Sequence, residues 1–574
     1  MKTCRPLSAA RPLWLSSARA EVWLLGAFAL LLLGLGLGLR DPWPSDEPRF
    51  ALVARTMVEH GQWLFPHRGS ELYADKPPLF MWLQAGAYLL TRQWRVAFLL
   101  PSLLAGLGAL ALVYDLGRRL WNHRSALLAA ATLLLTVHFT YQMRNAQIDP
   151  LLLGWMTLAN YGILRHLLLG PAWRWFALGC FAAGLGVITK GVGVLALLML
   201  VPYALARRRG CLHLAGFEGG WRWALGAVAF LLPVLAWLLP MLLVARIDGD
   251  PEHAAYVQDI LFGQTVHRYA TPTGHLHSPL YFLGIIAVDW LPLSLLLAWA
   301  IPAWWRRLRR GDGRQAVLLG WVVLVLAFFS FSPGKRDVYI LPALPMVALA
   351  LAPLLPGLLR KAGVRAAIFV LTTLLGVVLA LGATLALVRH PPWAVRMEQA
   401  LDPRIWWLLL AIGASALAVA AATRIRRAAL GWALCAGVLW ALYGLWGYPL
   451  LNGGRSARDV MARARAIAGP DAPIGLVAWK EQNLLMLDGP ATEFGFLAPW
   501  PEQYARALDW LRADPGRRWV FSRAGAMGPC VDRRRARFVG HANRRDWWMF
   551  QLPATRAGCT PPPPAGAEAD ADDG

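Results

Sequence analysis

Residues 22–50 read VWLLGAFALLLLGLGLGLRDPWPSDEPRF. The stretch 22–40 carries no charge before Arg40, and roughly 20 such apolar residues suffice to cross about 30 Å of hydrocarbon as a helix. Lys2, Arg5, Arg11 and Arg19 precede it, as in a signal peptide. The run is too long for a signal-peptide core and has no clear small-residue cleavage site, so it reads as a retained first helix with a cytoplasmic N-terminus. The Pro-rich, charged DPWPSDEPRF then emerges on the outer side.

Working outward, similar runs lie near 96–117, 125–141, 150–168, 174–189, 191–206, 222–245, 279–304, 315–332, 337–358, 364–388, 405–423 and 428–450, making thirteen expected spans. The composition agrees: 57% hydrophobic, 16% charged, 30 Trp and a mean hydropathy of +0.45 place the chain among membrane proteins. The net charge of +24 does not point to nucleic acid, which needs basic residues gathered on one soluble face with stacking aromatics. They sit instead in short clusters between runs, at Arg118, Arg119 and Arg124, at 207–209, at 306–310, at Arg360 and Lys361, and at 424–427. Every cluster falls on the N-terminal side of the membrane, and Asp46, Glu47, Asp75, Asp149, Asp248, Asp250 and Asp259 fall opposite, as the positive-inside rule requires. The expected protein is therefore multi-pass, with its N-terminus in the cytoplasm and its C-terminus outside.

Two outer loops, about 41–95 and 246–278, are longer than connections need to be and rich in Trp, Tyr, His and paired charges. Loops of that kind are commonly functional, and these read as ordered lids, with 78–90 apolar enough to dip into the interface. Three parts are expected: a transmembrane part over 1–450, an α/β unit on the outer side over 451–560, and a Pro-rich, acidic disordered tail over 561–574. In the second, 474–479, 519–522 and 547–552 read as strands around a helix near 502–512. Its catalytic content reads as low. None of the six cysteines has metal-site spacing. Only Cys530 and Cys559 lie in the outer unit, where a disulfide is expected.

Charged groups at the outer ends of membrane helices are costly to hold and call for function first. Four clusters qualify: Asp46, Glu47 and Arg49; Tyr73, Asp75 and Lys76 before Pro77 and Pro78; Arg144 to Asp149; and Thr189, Lys190 and Gly191. Helix caps or surface ion pairs would account for any one of them. Together, acids and lysines meeting on one face of a bundle form a site suited to group transfer.

The ordered set DEPRF, YADKPPLFMW, RNAQID, TKG, HRY, GHxxSPLYF and SPGKRDVYILPALP resembles the bacterial lipid A 4-amino-4-deoxy-L-arabinose transferases, relatives of the protein O-mannosyltransferases. The resemblance runs from Asp41 to Pro345, and DKPPL and KRDVYILPALP are its most specific pieces. It implies an all-α, polytopic GT-C fold in a bacterial inner membrane, which makes the unit over 451–560 and the C-terminus periplasmic. It also implies an inverting glycosyltransferase that takes sugar from a polyprenyl phosphate, with Asp46 as the acid acting on the acceptor, Arg49 holding it, and Asp149 orienting substrate. A phosphate leaving group needs cations rather than a proton donor; Lys76, Lys190, Arg268, Lys335 and Arg336 suit it. Glu47, Tyr73, Asp75, His267, His275, Tyr281 and Tyr339 complete the expected substrate contacts. Asp75, where the aminoarabinose enzymes carry Glu, is also the one candidate ligand for a divalent metal ion; no other cofactor is expected. The C-terminal unit matches nothing in the family.

The expected partners are a polyprenyl-phosphate-linked sugar, a lipid A-type or protein acceptor and the membrane, with the protein a monomer. No dinucleotide or Walker fingerprint competes, and no WWDYG-like motif points to an oligosaccharyltransferase. A protein O-mannosyltransferase is the alternative within enzymes. A polyprenyl-linked sugar transporter or flippase is the alternative outside them, although no internal repeat of the transporter kind is present.

Overall fold

The computed structural model describes residues 18–215, 219–261, 277–543 and 545–560. Among them, six helices are long and apolar enough to cross a membrane, and two further pairs pass that test together but bend by 67° and 110°. Each of the thirteen apolar runs is helical, though several are broken. The run at 279–304 turns between Tyr281–Val288 and Leu293–Arg309, and that at 125–141 between His123–Leu134 and Val137–Met143. The run at 191–206 starts as a 3₁₀ helix, Val192–Met199. Hydropathy sees apolar content, but Pro292 and the Gly191 turn (φ 78°) stop the backbone from continuing straight.

The first helix, α1 (Ala18–Gly34), ends before the expected residue 40. The chain leaves it through Gly36 and Gly38 at φ 94° and 84°, a region open to glycine at little cost. That exit strands carbonyls in a dry setting, where each needs a partner. The buried Arg144 supplies it, donating to the Leu32 and Leu35 carbonyls at 2.5 and 2.8 Å and to the Tyr448 hydroxyl at 3.0 Å.

The first long loop, expected on the outer side, contains α2 (Glu47–His60), a hairpin of β1 (His67–Arg68) and β2 (Glu71–Leu72), and α3 (Leu79–Thr91). The site-bearing helices α4 (Ile148–Leu169) and α5 (Trp173–Lys190) pack so closely that a Cβ on Gly162 would lie 2.2 Å from the Trp175 carbonyl oxygen. Small residues at such crossings are how membrane helices gain dispersion contact.

After these come α6 (Arg458–Ala468), β3 (Ile474–Val477), α7 (Glu481–Met486), β4 (Ala491–Glu493), α8 (Trp500–Ala513), β5 (Trp519–Arg523), β6 (Arg537–Ala542) and β7 (Arg545–Phe550). The sheet order is β4-β3-β5-β7-β6, with β3 parallel to β4 and β5, and β7 antiparallel to β5 and β6. Cys530 and Cys559 are disulfide-bonded at a separation of 29 residues. Closing a loop of that length restricts the unfolded chain by roughly 3–4 kcal/mol. Reduction, or Cys559→Ser, is expected to destabilise this unit by about that amount, read as faster proteolysis of residues 458–560 with the helical bundle intact.

This unit is seated on the first outer loop. Leu52 of α2 is buried in the same apolar cluster as Val460, Leu476 and Trp479. Arg55 donates to the Leu485 carbonyl at 2.9 Å, and the Ser70 N–H donates to Glu493 at 2.8 Å. The buried Asp41 accepts from Arg95 at 2.8 Å, Arg458 at 2.8 and 2.9 Å, and Ser456 at 3.0 Å. Burial pushes the Asp41 carboxyl pKa up, but the Arg458 and Arg95 hydrogen bonds and charges outweigh it and hold the group below its ordinary value. A depressed folded-state pKa means the contact is at full strength above the unfolded pKa of about 4 and is lost as pH falls through the folded value. Acidification below about pH 4 is thus expected to speed amide exchange in α6, and Asp41→Asn to remove that dependence.

Candidate active site

Asp46 sits at the N-cap of α2, but its side chain makes no capping hydrogen bond. The carboxylate instead accepts from Arg336 at 3.1 Å and lies 3.8 Å from Arg49. Pro48 in the first turn costs no helical hydrogen bond and fixes the entry of the chain. Arg336 immediately precedes the 3₁₀ turn Asp337–Ala343, so KRDVYILPALP delivers its guanidinium to the acid of DEPRF.

The third and fourth clusters meet beside this pair. Asp149 lies in the first turn of α4 and Lys190 is the last residue of α5; their side chains are 2.5 Å apart. Gly191, at φ 78°, ends α5 there. The Lys190 ammonium also lies 4.5 Å from the Tyr339 ring centre, a cation–π distance. The second cluster closes another side. Asp75 is 3.9 Å from Arg68, and Lys76 donates to the Asp75 carbonyl at 2.9 Å. Tyr73 is fully buried, and burial first, with Asp75 second, pushes its phenol pKa up, so it stays neutral.

Other candidates are engaged elsewhere. Glu47 is 5% exposed and accepts two bonds from the fully buried Arg40 at 2.5 and 2.6 Å, one from the Trp43 N–H at 2.9 Å and one from the Ala146 N–H at 2.8 Å. Its oxygens are thereby committed to holding the loop together. The buried Lys335 donates to the His277 and Ser332 carbonyls at 2.9 and 2.6 Å, so it pins the chain beside Arg336. Tyr281 stacks on His277 at 4.3 Å. His267, Arg268 and His275 lie outside the described residues. Among those described, no three His, Cys, Asp or Glu residues gather as a metal would require. The neighbour that faces Asp75 is the Arg68 guanidinium. These residues do not fit a metal ion.

Four groups at this site went unread in the sequence. Glu481, 3% exposed at the start of α7, accepts from Arg49 at 3.0 Å and lies 3.6 Å from Arg68. His138, buried at the bend of the broken second pair, stands 3.9 Å from Asp337; its ring nitrogens have no hydrogen-bond partner among the described residues. Arg68 and Glu481 carry no local signal, whereas Asp337 lies inside a quoted motif and His138 inside an apolar run, where an ionisable residue is itself a signal. The acids gathered here are paired with cations: Asp46 with Arg336 and Arg49, Asp149 with Lys190, and Glu481 with Arg49 and Arg68.

The family model for dolichyl-phosphate-mannose-protein mannosyltransferases matches residues 75–237. The undecaprenyl phosphate-alpha-4-amino-4-deoxy-L-arabinose arabinosyl transferase of Pectobacterium carotovorum is 31% identical over 342 residues, 58% of either chain. The enzyme of that name from Pseudomonas paraeruginosa is 32% identical over 364 residues, 60% of this chain and 61% of that one. The chain thus spans about 58% of the length of the curated relatives it matches. The crystal structure of ArnT from Cupriavidus metallidurans bound to undecaprenyl phosphate superposes with a TM-score of 0.73 at 21% identity, covering 95% of this chain and all of that one. These likenesses uphold the resemblance to the lipid A aminoarabinose transferases, and the chain has the mostly helical GT-C fold.

Proposed function

We infer that this chain, as a protein resembling the lipid A aminoarabinose transferases, is an inverting glycosyltransferase that moves an aminoarabinose-like sugar or a hexose from a polyprenyl phosphate to a lipid A-type or other periplasmic acceptor. The observation that carries the reading is Asp46, at the N-cap of α2 but making no capping hydrogen bond and turned to Arg336 and Arg49 beside the Lys190 and Asp149 pair. An acceptor hydroxyl attacks the anomeric carbon as Asp46 takes its proton. The bond from that carbon to the phosphate oxygen breaks with its electron pair going to oxygen, and the polyprenyl phosphate departs. Arg336, Lys190 and Lys76, together with Arg268 of the second loop, meet the growing negative charge, the task preorganised cations perform best in a site shielded from water. Asp149 orients Lys190 through their short contact, and Tyr339 backs the ammonium.

In this reading residues 1–450 form the membrane part with thirteen crossings, 451–560 a periplasmic unit, and 561–574 a tail. The N-terminus is cytoplasmic, the site and C-terminus are periplasmic, and the protein acts as a monomer. The family model matching residues 75–237 supports a second reading, transfer to a protein hydroxyl. The deciding experiment supplies purified protein with a labelled polyprenyl-phosphate sugar and two acceptors, lipid A and a periplasmic protein extract. Label in lipid A upholds the first reading and label in protein the second. Donor left unconsumed with both, while still bound, overturns transfer altogether.

A further inference from the structure

The parallel strands β3 and β4 end on the side of the α/β unit that faces the first outer loop, and the carboxyl edge of parallel strands is where open α/β sheets hold their ligands. The chain leaving β3 is tightly held. Ala478 has a positive φ of 53°, its N–H donates to Gln503 at 2.8 Å, and the Lys480 N–H donates to the Asn483 side chain at 2.9 Å. Glu481 follows, nearly excluded from solvent.

Arg49 is shared between two carboxylates and lies closer to the remote one, 3.0 Å from Glu481 against 3.8 Å from Asp46. Arg68 leans on Glu481 at 3.6 Å and on Asp75 at 3.9 Å. Removing the Glu481 charge would leave two partly desolvated guanidinium groups short of a counter-charge, and the nearest carboxylate for Arg49 is then Asp46. Drawn onto Arg49 as well as Arg336, Asp46 would be a weaker proton acceptor, because a close positive charge favours its ionised form.

Resting on the transfer reading above, we propose that Glu481 is a positioning residue of the transfer site. It draws Arg49 away from Asp46, so the C-terminal α/β unit completes the site rather than decorating it. Asp46 is faced by Arg336 and Arg49, with the neutral Tyr73 nearby, and Glu481 by Arg49 and Arg68.

The test uses the full chain in detergent or nanodiscs. Glu481→Gln keeps the shape and removes the charge; displacing a positioning group by about an ångström can cost roughly 100-fold. The expected result is a kcat lower by about 10- to 100-fold with a donor KM within about twofold. The acidic limb of the kcat profile should move to lower pH, and Glu481→Asp should recover part of the loss. Glu493→Gln, which loosens the same docking surface at Ser70, is expected to leave both kcat and the profile near wild type. Amide exchange over residues 43–52 gives a second readout that needs no turnover, so it decides the matter even if the wild type proves inactive and the transfer reading fails. It should rise in Glu481→Gln and stay unchanged in Glu493→Gln. Glu481→Gln with wild-type kcat, an unmoved profile or unchanged exchange overturns the proposal. Equal losses in the two variants do so as well, since they would reduce Glu481 to docking glue.

Discussion

Asp46→Asn is expected to lower the transfer rate by roughly 10²- to 10⁴-fold, the range that a positioned proton acceptor contributes. Asparagine matches aspartate in shape and its carbonyl can still accept the bond from Arg336, now at 3.1 Å from the carboxylate. What it cannot do is hold the proton released by the acceptor hydroxyl. The loss should therefore fall on kcat, with donor affinity kept, because the substitution leaves in place Lys190, Lys76 and Arg336, the cations proposed to meet the phosphate. Transfer of label at matched amounts of monodisperse protein measures it. An Asn variant within about tenfold of wild type would sink the assignment of Asp46 and shift attention to Asp149, the other acid beside Arg336.

Glu47→Ala is expected to be the most destabilising single substitution in the first outer loop, although Glu47 is Asp46's immediate neighbour. Removing one partner of a buried ion pair costs about 3–5 kcal/mol because the other charge stays behind uncompensated. Arg40 is fully buried. It lies among the rings of Trp43, Phe98 and Tyr448, at 4.6, 5.3 and 5.2 Å, where no water can replace the lost carboxylate, and the Trp43 and Ala146 N–H groups lose their acceptor too. The double variant Arg40→Met with Glu47→Leu, which removes both charges, should recover most of the loss. The readout is the thermal unfolding midpoint in one detergent. A double variant as unstable as Glu47→Ala would show that the pair's desolvation is not the governing cost.

The contrast between these adjacent acids divides what local sequence can carry from what it cannot. Apolar helices were legible because partition into hydrocarbon sums over a run of residues, and a helix from Ile405 to Thr423 needs nothing from the rest of the chain. The site's level was legible too. Asp46, Asp149, Lys190 and Arg336 all lie at helix ends inside short motifs, and those four make the central ion pairs. Breaks at 288–293 and 134–137 escaped, since hydropathy is blind to backbone direction.

The amino-acid sequence by itself thus determined the membrane class, the rhythm of apolar runs, the placing of the acids at helix ends and the cysteine pair, all of them set by composition or by neighbours along the chain. Only the tertiary structure decided that Glu47 belongs to Arg40, that Lys335 is spent on carbonyls, and that Glu481 reaches Arg49 across 432 residues. Charges choose partners by distance and burial in the folded molecule, and neither quantity is encoded in the spacing of residues along the chain.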